Sequence, residues 1–392
     1  MTQPPPESTC VLSGGFSHTG SRLSHTLRME AKPKELRTNM AAVFPKPKEL
    51  YEYKHPGILY TVCPDPSARR IFAGSFDYGV YVFDLDSEKK EASGRWASHD
   101  NYVSCIAGIP GDDKPTLISG SFDRHLVWWD TDTGKPTRTH EAHAGWVRAL
   151  ANFPDGERFA SVGDDMRLKI WEVKSGREIL SVCGHNAETP QGHVNALYQV
   201  AVSPDGRYLA TADRTAVVRV WDAERGKIVQ SFEVPILYTY DPKHRKRSIG
   251  GIRSMAFSPD GKVLATGGIS TVQNVDGLES PPYVELWDWQ APKRLVASKV
   301  DKEKGFVHGL VFHPSGRWLI GAGGGGKDGF LLFYDLENLD SIASSEKPEL
   351  PLQSHNAGAQ YQDAKLSADG SELYLPDYHS LEVWSLGRYE EF

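Results

Sequence analysis

His99, Ser119 and Asp123 are the residue types of a hydrolytic triad, and His143, Ser161 and Asp165 are the same types again. In such a triad a carboxylate orients an imidazole, which takes the proton of the serine hydroxyl. Here the set recurs, and a tryptophan follows each aspartate by six residues, Trp129 after Asp123 and Trp171 after Asp165. A catalytic constellation occurs once in a chain, whereas a set repeated with Trp at fixed spacing is expected to hold the fold together. A second chemical feature is the run from Gly321 to Asp328, GAGGGGKD, which comes close to a phosphate-cradling loop. It fails on chemistry, since Asp328 stands where a metal-binding hydroxyl is needed and its carboxylate would repel phosphate. It fails on context too, because Phe330–Tyr334 reads as a strand rather than a helix, so a hairpin tip is expected.

The cluster Lys243-His244-Arg245-Lys246-Arg247, flanked by Tyr238 and Tyr240, has the residue types to grip nucleic acid or an acidic peptide. The plainer reading is a solvated loop. The whole chain of 392 residues carries a net charge of −7, which gives no general reason to expect a nucleic-acid partner. Cys10, Cys63, Cys105 and Cys183 are more than 40 residues apart, which excludes a CxxC pair or a compact zinc site. No cofactor or metal is therefore expected. The chain has no apolar run of 18 residues to span a membrane, and MTQPPPESTC lacks the basic start and apolar stretch of a secretory leader. A cytoplasmic protein with reduced thiols is the expectation.

The elements that carry these residues repeat. In HVNALYQVAVSPDGRYLATADRTAVVRVWD, His193–Asp222, strands are expected at Ala196–Val202, Tyr208–Ala212 and Val217–Trp221. The intervening Ser203-Pro204-Asp205-Gly206 is turn chemistry: Pro presets one corner and Gly supplies the left-handed one. Comparable turns lie at Pro64-Asp65, Gly111-Asp112, Pro154-Asp155, Pro259-Asp260, Pro314-Ser315 and Ala368-Asp369. Each precedes an aromatic, in order Phe83, Trp129, Trp171, Trp221, Trp287, Tyr334 and Trp384. The distance from the second turn residue to the aromatic is 15 to 19 residues in six repeats, and 27 from Asp260 to Trp287. The long one places an insertion between Gly267 and Tyr283 in the fifth repeat.

Seven such units, each closing on an aromatic that an acidic or Ser residue follows and the clearest of them opening on His and ending in Trp-Asp, resemble the WD40 repeat. The resemblance runs over roughly residues 46–392 and implies an all-β, seven-bladed propeller of four-stranded antiparallel blades. Only a few residues follow Trp384, so blade seven lacks an outer strand, and Leu50, Tyr51 and Tyr53 are expected to supply it from the N-terminus. The domain reading is therefore a disordered extension over 1–44, within which Met29 and Met40 are alternative starts, and a propeller over 45–392. The family also implies a structural tetrad of His, Ser or Thr, Asp and Trp. Carried over, this gives His99, Ser119, Asp123 and Trp129 in blade two and His143, Ser161, Asp165 and Trp171 in blade three. Blade four offers His193, Thr211 and Trp221 with Thr215 in the Asp position. Blade one keeps His55 and Asp77 beside Ala73 and Phe83, and blade six keeps Asp328 without the hydroxyl.

No nucleophile, metal set or cofactor fingerprint survives, and the WD40 resemblance implies a non-catalytic interaction scaffold that binds a partner protein or peptide at the channel mouth. Six residues ahead of each turn, or seven in the second repeat, lie Ile58, Ser104, Arg148, Tyr198, Arg253, His308 and Gln362. Just ahead of the Asp position lie Phe76, Phe122, Asp164, Arg214, Lys327 and Asp377. Arg148, Arg214, Arg253 and Lys327 should gather cations against the chain's average charge, with Phe76 and Phe122 as an apolar edge, so an acidic or phosphorylated segment is the expected ligand. The competing classes are an enzyme at the channel, for which only Asp164 and Asp377 offer carboxylates, and a nucleic-acid scaffold using 243–247. Neither nucleic acid nor membrane is the expected partner, and the ring is expected as a monomer or as a subunit of a larger complex.

Overall fold

A computed structural model describes residues 44–111, 115–242, 246–272, 279–325 and 328–387. Asp112 of the second turn, Lys243–Arg245 of the basic cluster, Lys327 and the extension ahead of Phe44 lie outside them. Seven four-stranded antiparallel sheets follow one another as the blades of a propeller. From the channel outward they are Leu59–Pro64, Arg70–Ser75, Gly79–Asp84 and Gly94–Ala97 in blade one, and Val103–Ile109, Thr116–Ser121, His125–Trp129 and Pro136–Glu141 in blade two. Blade three is Val147–Asn152, Arg158–Gly163, Arg167–Glu172 and Glu178–Cys183, and blade four is Leu197–Val202, Tyr208–Asp213, Val217–Asp222 and Lys227–Glu233. Blade five is Ser254–Phe257, Val263–Ile269, Pro282–Asp288 and Lys293–Lys299. Blade six is Phe306–Phe312, Trp318–Gly325, Asp328–Asp335 and Leu352–Ala357. Blade seven has Lys365–Leu366, Glu372–Pro376 and Ser380–Ser385, and its outer strand is Lys48–Lys54.

The turns work as their residues demand. In Ser203–Gly206 the Ser203 N–H donates to the Tyr208 carbonyl at 2.9 Å, and Gly206 takes φ 66°, a left-handed corner that a Cβ would strain. Asp205 accepts the Arg207 N–H at 3.0 Å, so the turn closes on its own polar groups. Blade one carries this turn two residues later than its sequence suggests. Asp65 N–H donates to Arg70 O at 2.9 Å as Ser203 does to Tyr208, so Pro66, not Pro64, is the turn proline and Pro64 ends the strand.

Each sheet buries both faces between its neighbours. Ala149, Val162 and Ile170 of blade three pack with Leu197, Leu209 and Trp221 of blade four in one buried cluster, the arrangement that lets apolar-rich strands stack around a ring. The ring closes where the last blade meets the first residues. Lys48–Lys54 runs antiparallel to Ser380–Ser385, pairing Tyr53 with Leu381 and Glu52 with Glu382. Tyr53 is fully buried and meets Phe83 of blade one edge-on at 5.6 Å. On the channel side, the Asp363 carboxylate accepts Thr61 Oγ1 at 3.0 Å and Val62 N–H at 3.3 Å. The Gly-rich run is a hairpin, as expected: Gly325 pairs with Asp328 across two strands that continue to Trp318 and Asp335.

Two departures from regular blades matter below. The connection after blade four carries a small two-stranded pairing of its own, Tyr238–Asp241 with Arg247–Gly250, and Lys243–Arg245 between them lie outside the described residues. In blade six, residues 336–351 separate the third and outer strands and contain a short helix, α1, Leu339–Ala343, where blade four uses only 223–226.

Candidate functional site

The channel is lined by a fixed register position. In five first strands the ladder slips by one residue, and the extra residue is Tyr60, Ser104, Arg148, Tyr198 or His308. A bulge of this kind re-aims one side chain out of the pleat, and these five line a single cavity of about 290 Å³ together with Arg253 and Gln362. Tyr60, not Ile58, is therefore the blade-one member, and the slip follows from the displaced turn.

Three of the four expected cations meet here. The guanidinium carbons of Arg148, Arg214 and Arg253 lie 5.3, 5.6 and 4.3 Å from the ring centre of Tyr198. They are not equivalent. Arg148 holds Asp164 through two bonds of 2.6 and 3.0 Å, so this pair is neutral. Arg214 donates to Tyr198 Oη and to the Val194 carbonyl, each at 2.8 Å. Arg253 donates to the Gly250 carbonyl at 3.1 Å. Neither of these two has a carboxylate partner among the described residues. Burial, with Arg148 and Arg214 nearby, lowers the Arg253 guanidinium from its ordinary value despite Tyr198. Burial, helped by the Arg253 charge, likewise drops the His308 imidazole to about 3 and keeps it neutral. Gly251 makes the close approach possible: it sits at φ 82°, and a Cβ there would lie 3.0 Å from the Tyr198 ring.

Beside the cations runs a set of aromatic rings. Tyr60 and Tyr78 lie 5.6 and 6.0 Å from Tyr102, Tyr102 lies 5.7 Å from Phe122, and Phe122 stacks on Trp146 at 4.2 Å. Arg148 continues the series over Trp146 at 4.7 Å. Tyr78 and Trp146 are each 43 % exposed, an unusual state for large rings in a well-packed ring of blades. Phe122 belongs to this edge as expected. Phe76 does not; its ring packs over Gly57 and shows no ring contact with the series. Tyr60, Tyr78, Tyr102 and Trp146 escaped the sequence reading. Tyr102 and Trp146 could have been found, since each stands two residues ahead of its channel residue, as Phe306 does ahead of His308.

The Ser–His–Asp sets are structural. In blade two His99 Nε2 lies 2.7 Å from Ser119 Oγ, Trp129 Nε1 donates to the same oxygen at 2.8 Å, and His99 Nδ1 lies 2.8 Å from Asp123. Blade three repeats this with 2.7, 2.9 and 2.9 Å. A carboxylate only accepts, so Nδ1–H donates to it and Nε2 accepts the hydroxyl proton. Ser119 and Ser161 are completely buried with an indole N–H on the remaining lone pairs, so no substrate can approach. Burial alone would raise the Asp123 carboxyl, but His99 and the N–H groups of Asp100 and His125 bring it to about 2.

Blade four is complete, but not with the residues read from the sequence. His185 takes the imidazole position, at 2.8 Å from Thr211 and 3.0 Å from Asp213, and Trp221 donates to Thr211 at 2.8 Å. His193 lies eight residues further on, past an inserted loop, against Tyr240 at 5.8 Å. Thr215 is no vacant Asp position, because its N–H and hydroxyl both donate to Asp213, at 2.9 and 2.8 Å. In blade one His55 turns to the Gly57 carbonyl at 2.8 Å, while Asp77 accepts Tyr81 Oη at 2.7 Å. Blades five and seven use a glutamate two residues before the Trp. Tyr283 Oη donates to Glu285 at 2.9 Å, and Tyr361 Oη and Trp384 Nε1 donate to Glu382 at 2.6 and 2.8 Å.

The sequence matches the WD domain, G-beta repeat family over residues 91–130, 134–172, 184–222, 238–271 and 296–335. Seven four-stranded antiparallel sheets follow one another as that repeat's blades. The chain belongs to the WD40-repeat family. Its WD40 propeller is similar over 84 residues, at 36 % identity, to the small ribosomal subunit protein RACK1y of Oryza sativa subsp. japonica, covering 21 % of this chain and 25 % of that one. Over 105 residues it is 33 % identical to the nuclear distribution protein PAC1 of Arthroderma otae, covering 25 % and 23 %. The PAC1 proteins of Arthroderma benhamiae and Trichophyton verrucosum match to the same extent. The chain thus spans about a quarter of the length of the curated relatives it matches.

The two carboxylates that an enzymatic channel would need do not converge as free groups. Asp164 is held by Arg148, and Asp377 is buried and accepts Ser380 Oγ at 2.8 Å. Among the described residues no group of three His, Cys, Asp or Glu is arranged to hold a metal, and no helix is long and apolar enough to cross a membrane.

Proposed function

We propose that this WD40 propeller is a non-catalytic interaction module whose channel mouth holds an acidic or phosphorylated segment of a partner protein. The observation that carries this reading is the pair Arg214 and Arg253, two guanidiniums beside one Tyr ring with no carboxylate partner among the described residues. Gathering unpaired cations is unfavourable in a folded protein unless a ligand offsets it. A planar guanidinium holds a carboxylate or phosphate through two parallel bonds. The exposed Trp146 and Tyr78 faces supply the apolar margin that a peptide interface favours. The matched relative named as a small ribosomal subunit protein accords with a role inside an assembly. Thiols left free at Cys63, Cys105 and Cys183 suit a reducing, cytoplasmic setting.

The test is an arrayed set of peptides in three matched forms, carrying phosphoserine, glutamate or serine at one position. Binding should favour the charged forms, weaken with salt, and disappear in Arg214→Glu with Arg253→Glu once that variant is shown to melt like the parent. Equal binding of the serine form, or binding that survives the double reversal, refutes the reading.

A further inference from the structure

The opposite end of blades five and six carries a second surface with the reverse chemistry. The insertion 336–351 folds α1 back so that Leu339 and Ile342 pack against the apolar cluster shared by these blades. Between the helix and the turns at Ser258–Lys262 and Ser315–Gly316 lies a cleft of about 660 Å³. Its floor is apolar: Leu295, Phe312, Leu339 and Val263 are only partly buried there, and Leu336 lies beneath. Its rim is acidic, with Asp260, Asp288, Glu337 and Asp340 against Lys262 as the one cation among the described lining residues.

The carboxylates differ in what already holds them. Asp260 lies 3.3 Å from Lys262, and Glu337 lies 3.3 Å from an Arg317 that also bonds Asp335. Asp288 accepts the N–H groups of Gln290 and Ala291 at 3.1 and 3.2 Å, which leaves its charge uncancelled. Asp340 is exposed; its backbone carbonyl accepts Ser344 Oγ at 2.8 Å, while its carboxylate has no partner among the described residues. An apolar floor within an acidic rim, where Asp288 and Asp340 have no cation beside them among the described residues, rejects an acidic segment and favours one that brings an apolar side chain between cations. The volume accommodates a few side chains rather than a whole domain.

We infer that this cleft is a docking site for a basic segment of a partner protein, in which a leucine-like side chain enters over Phe312 and flanking Lys or Arg residues meet Asp288, Asp340 and Glu337. The ring would then join two partners of opposite charge, one at each end, and the two sites are independent of each other.

The probes are a labelled peptide in which two leucines are flanked by Lys and Arg, and its counterpart with Glu in place of every cation. Full-length protein is expected to bind the basic form at least about tenfold more tightly. Glu337→Lys with Asp340→Lys should weaken it about tenfold or more, and Leu339→Ser should weaken it at unchanged charge. Asp340→Lys alone gives the same direction without disturbing Arg317, should the double variant melt early. Arg214→Glu with Arg253→Glu should leave this binding unchanged, so a failure at the channel mouth is read separately. Equal affinity for the two peptides, or basic-peptide binding that survives both charge reversal and Leu339→Ser, overturns the inference. Concentration-dependent self-association abolished by the same substitutions would also overturn it, assigning the cleft to a second copy of the chain.

Discussion

Arg148→Met and Arg253→Met test whether the channel cations hold the fold or await a ligand. Removing Arg148 leaves Asp164 without the two bonds it receives at 2.6 and 3.0 Å in a site where both side chains are mostly covered. Stranding one partner of a charge-assisted pair costs about 2 kcal/mol. Unfolding entropy of about 2.1 cal/mol/K per residue over roughly 350 folded residues makes this a fall of about 3 °C in Tm. Removing Arg253 loses one bond to a carbonyl and a stacking contact on Tyr198, about 2 kcal/mol together. It also relieves the burial of an uncompensated charge beside Arg214, an opposing effect of similar size, and methionine keeps most of the packing. Arg253→Met should therefore melt within about 1 °C of the parent while losing affinity for the acidic peptide. Differential scanning calorimetry on both variants reads the contrast. If Arg253→Met falls as far as Arg148→Met, the cation is part of the scaffold and the ligand argument fails.

Asp213→Ala should cost about 3 kcal/mol by calorimetry, because five donors, including Asn195 Nδ2 at 3.1 Å and Val217 N–H at 3.0 Å, lose a buried acceptor. Thr215→Asp should destabilise as well, since it sets a second carboxylate where a hydroxyl now donates to Asp213; a gain in Tm would contradict the blade-four geometry. A chain starting at His55 should unfold or aggregate compared with one starting at Val43, because it bares the edge of Ser380–Ser385; equal melting would refute the latch. Burial, with help from Asp377 and Glu49, raises the Glu382 carboxyl above its ordinary value against the pull of Tyr361 and Trp384. A raised folded pKa gives stability present below the unfolded value near 4.3 and lost as pH rises through the folded one. Glu382→Gln should flatten the melting profile over that window, and an unchanged profile would sink the assignment.

Most of the scaffold is legible because a turn signal and an aromatic that closes the third strand recur at near-constant spacing along the sequence. What was misread has specific causes. Gly184-His185 and Gly192-His193 are both acceptable openings for blade four, and only the folded loop between them shows that the first is bonded to Thr211. Pro64-Asp65-Pro66 offers two prolines for one turn, and the backbone bond from Asp65 decides between them. The tetrad carboxylate of blade four comes from Asp213, two residues earlier than in blade three, because that strand end turns its side chain inward to three local donors, His185 and Asn195. The channel cations were legible as a register position, but their inequality was not: sequence does not say that Asp164 neutralises Arg148 and leaves Arg253 alone. The cleft below blades five and six depends on where the 336–351 insertion folds, which no repeat pattern fixes.

The outer strand of blade seven also sets an order of events during synthesis. Lys48–Lys54 leaves the ribosome early, yet Tyr53 pairs with Leu381. At about 5–20 residues per second the strand waits roughly 15–65 s for its partner. Throughout that interval it is an unpaired edge with two tyrosines. Its Lys48, Glu49, Glu52 and Lys54 surround Tyr51 and Tyr53 with charge, the composition that discourages pairing with a neighbouring nascent chain. The same charges that look idle in the finished ring keep the strand available for its own chain.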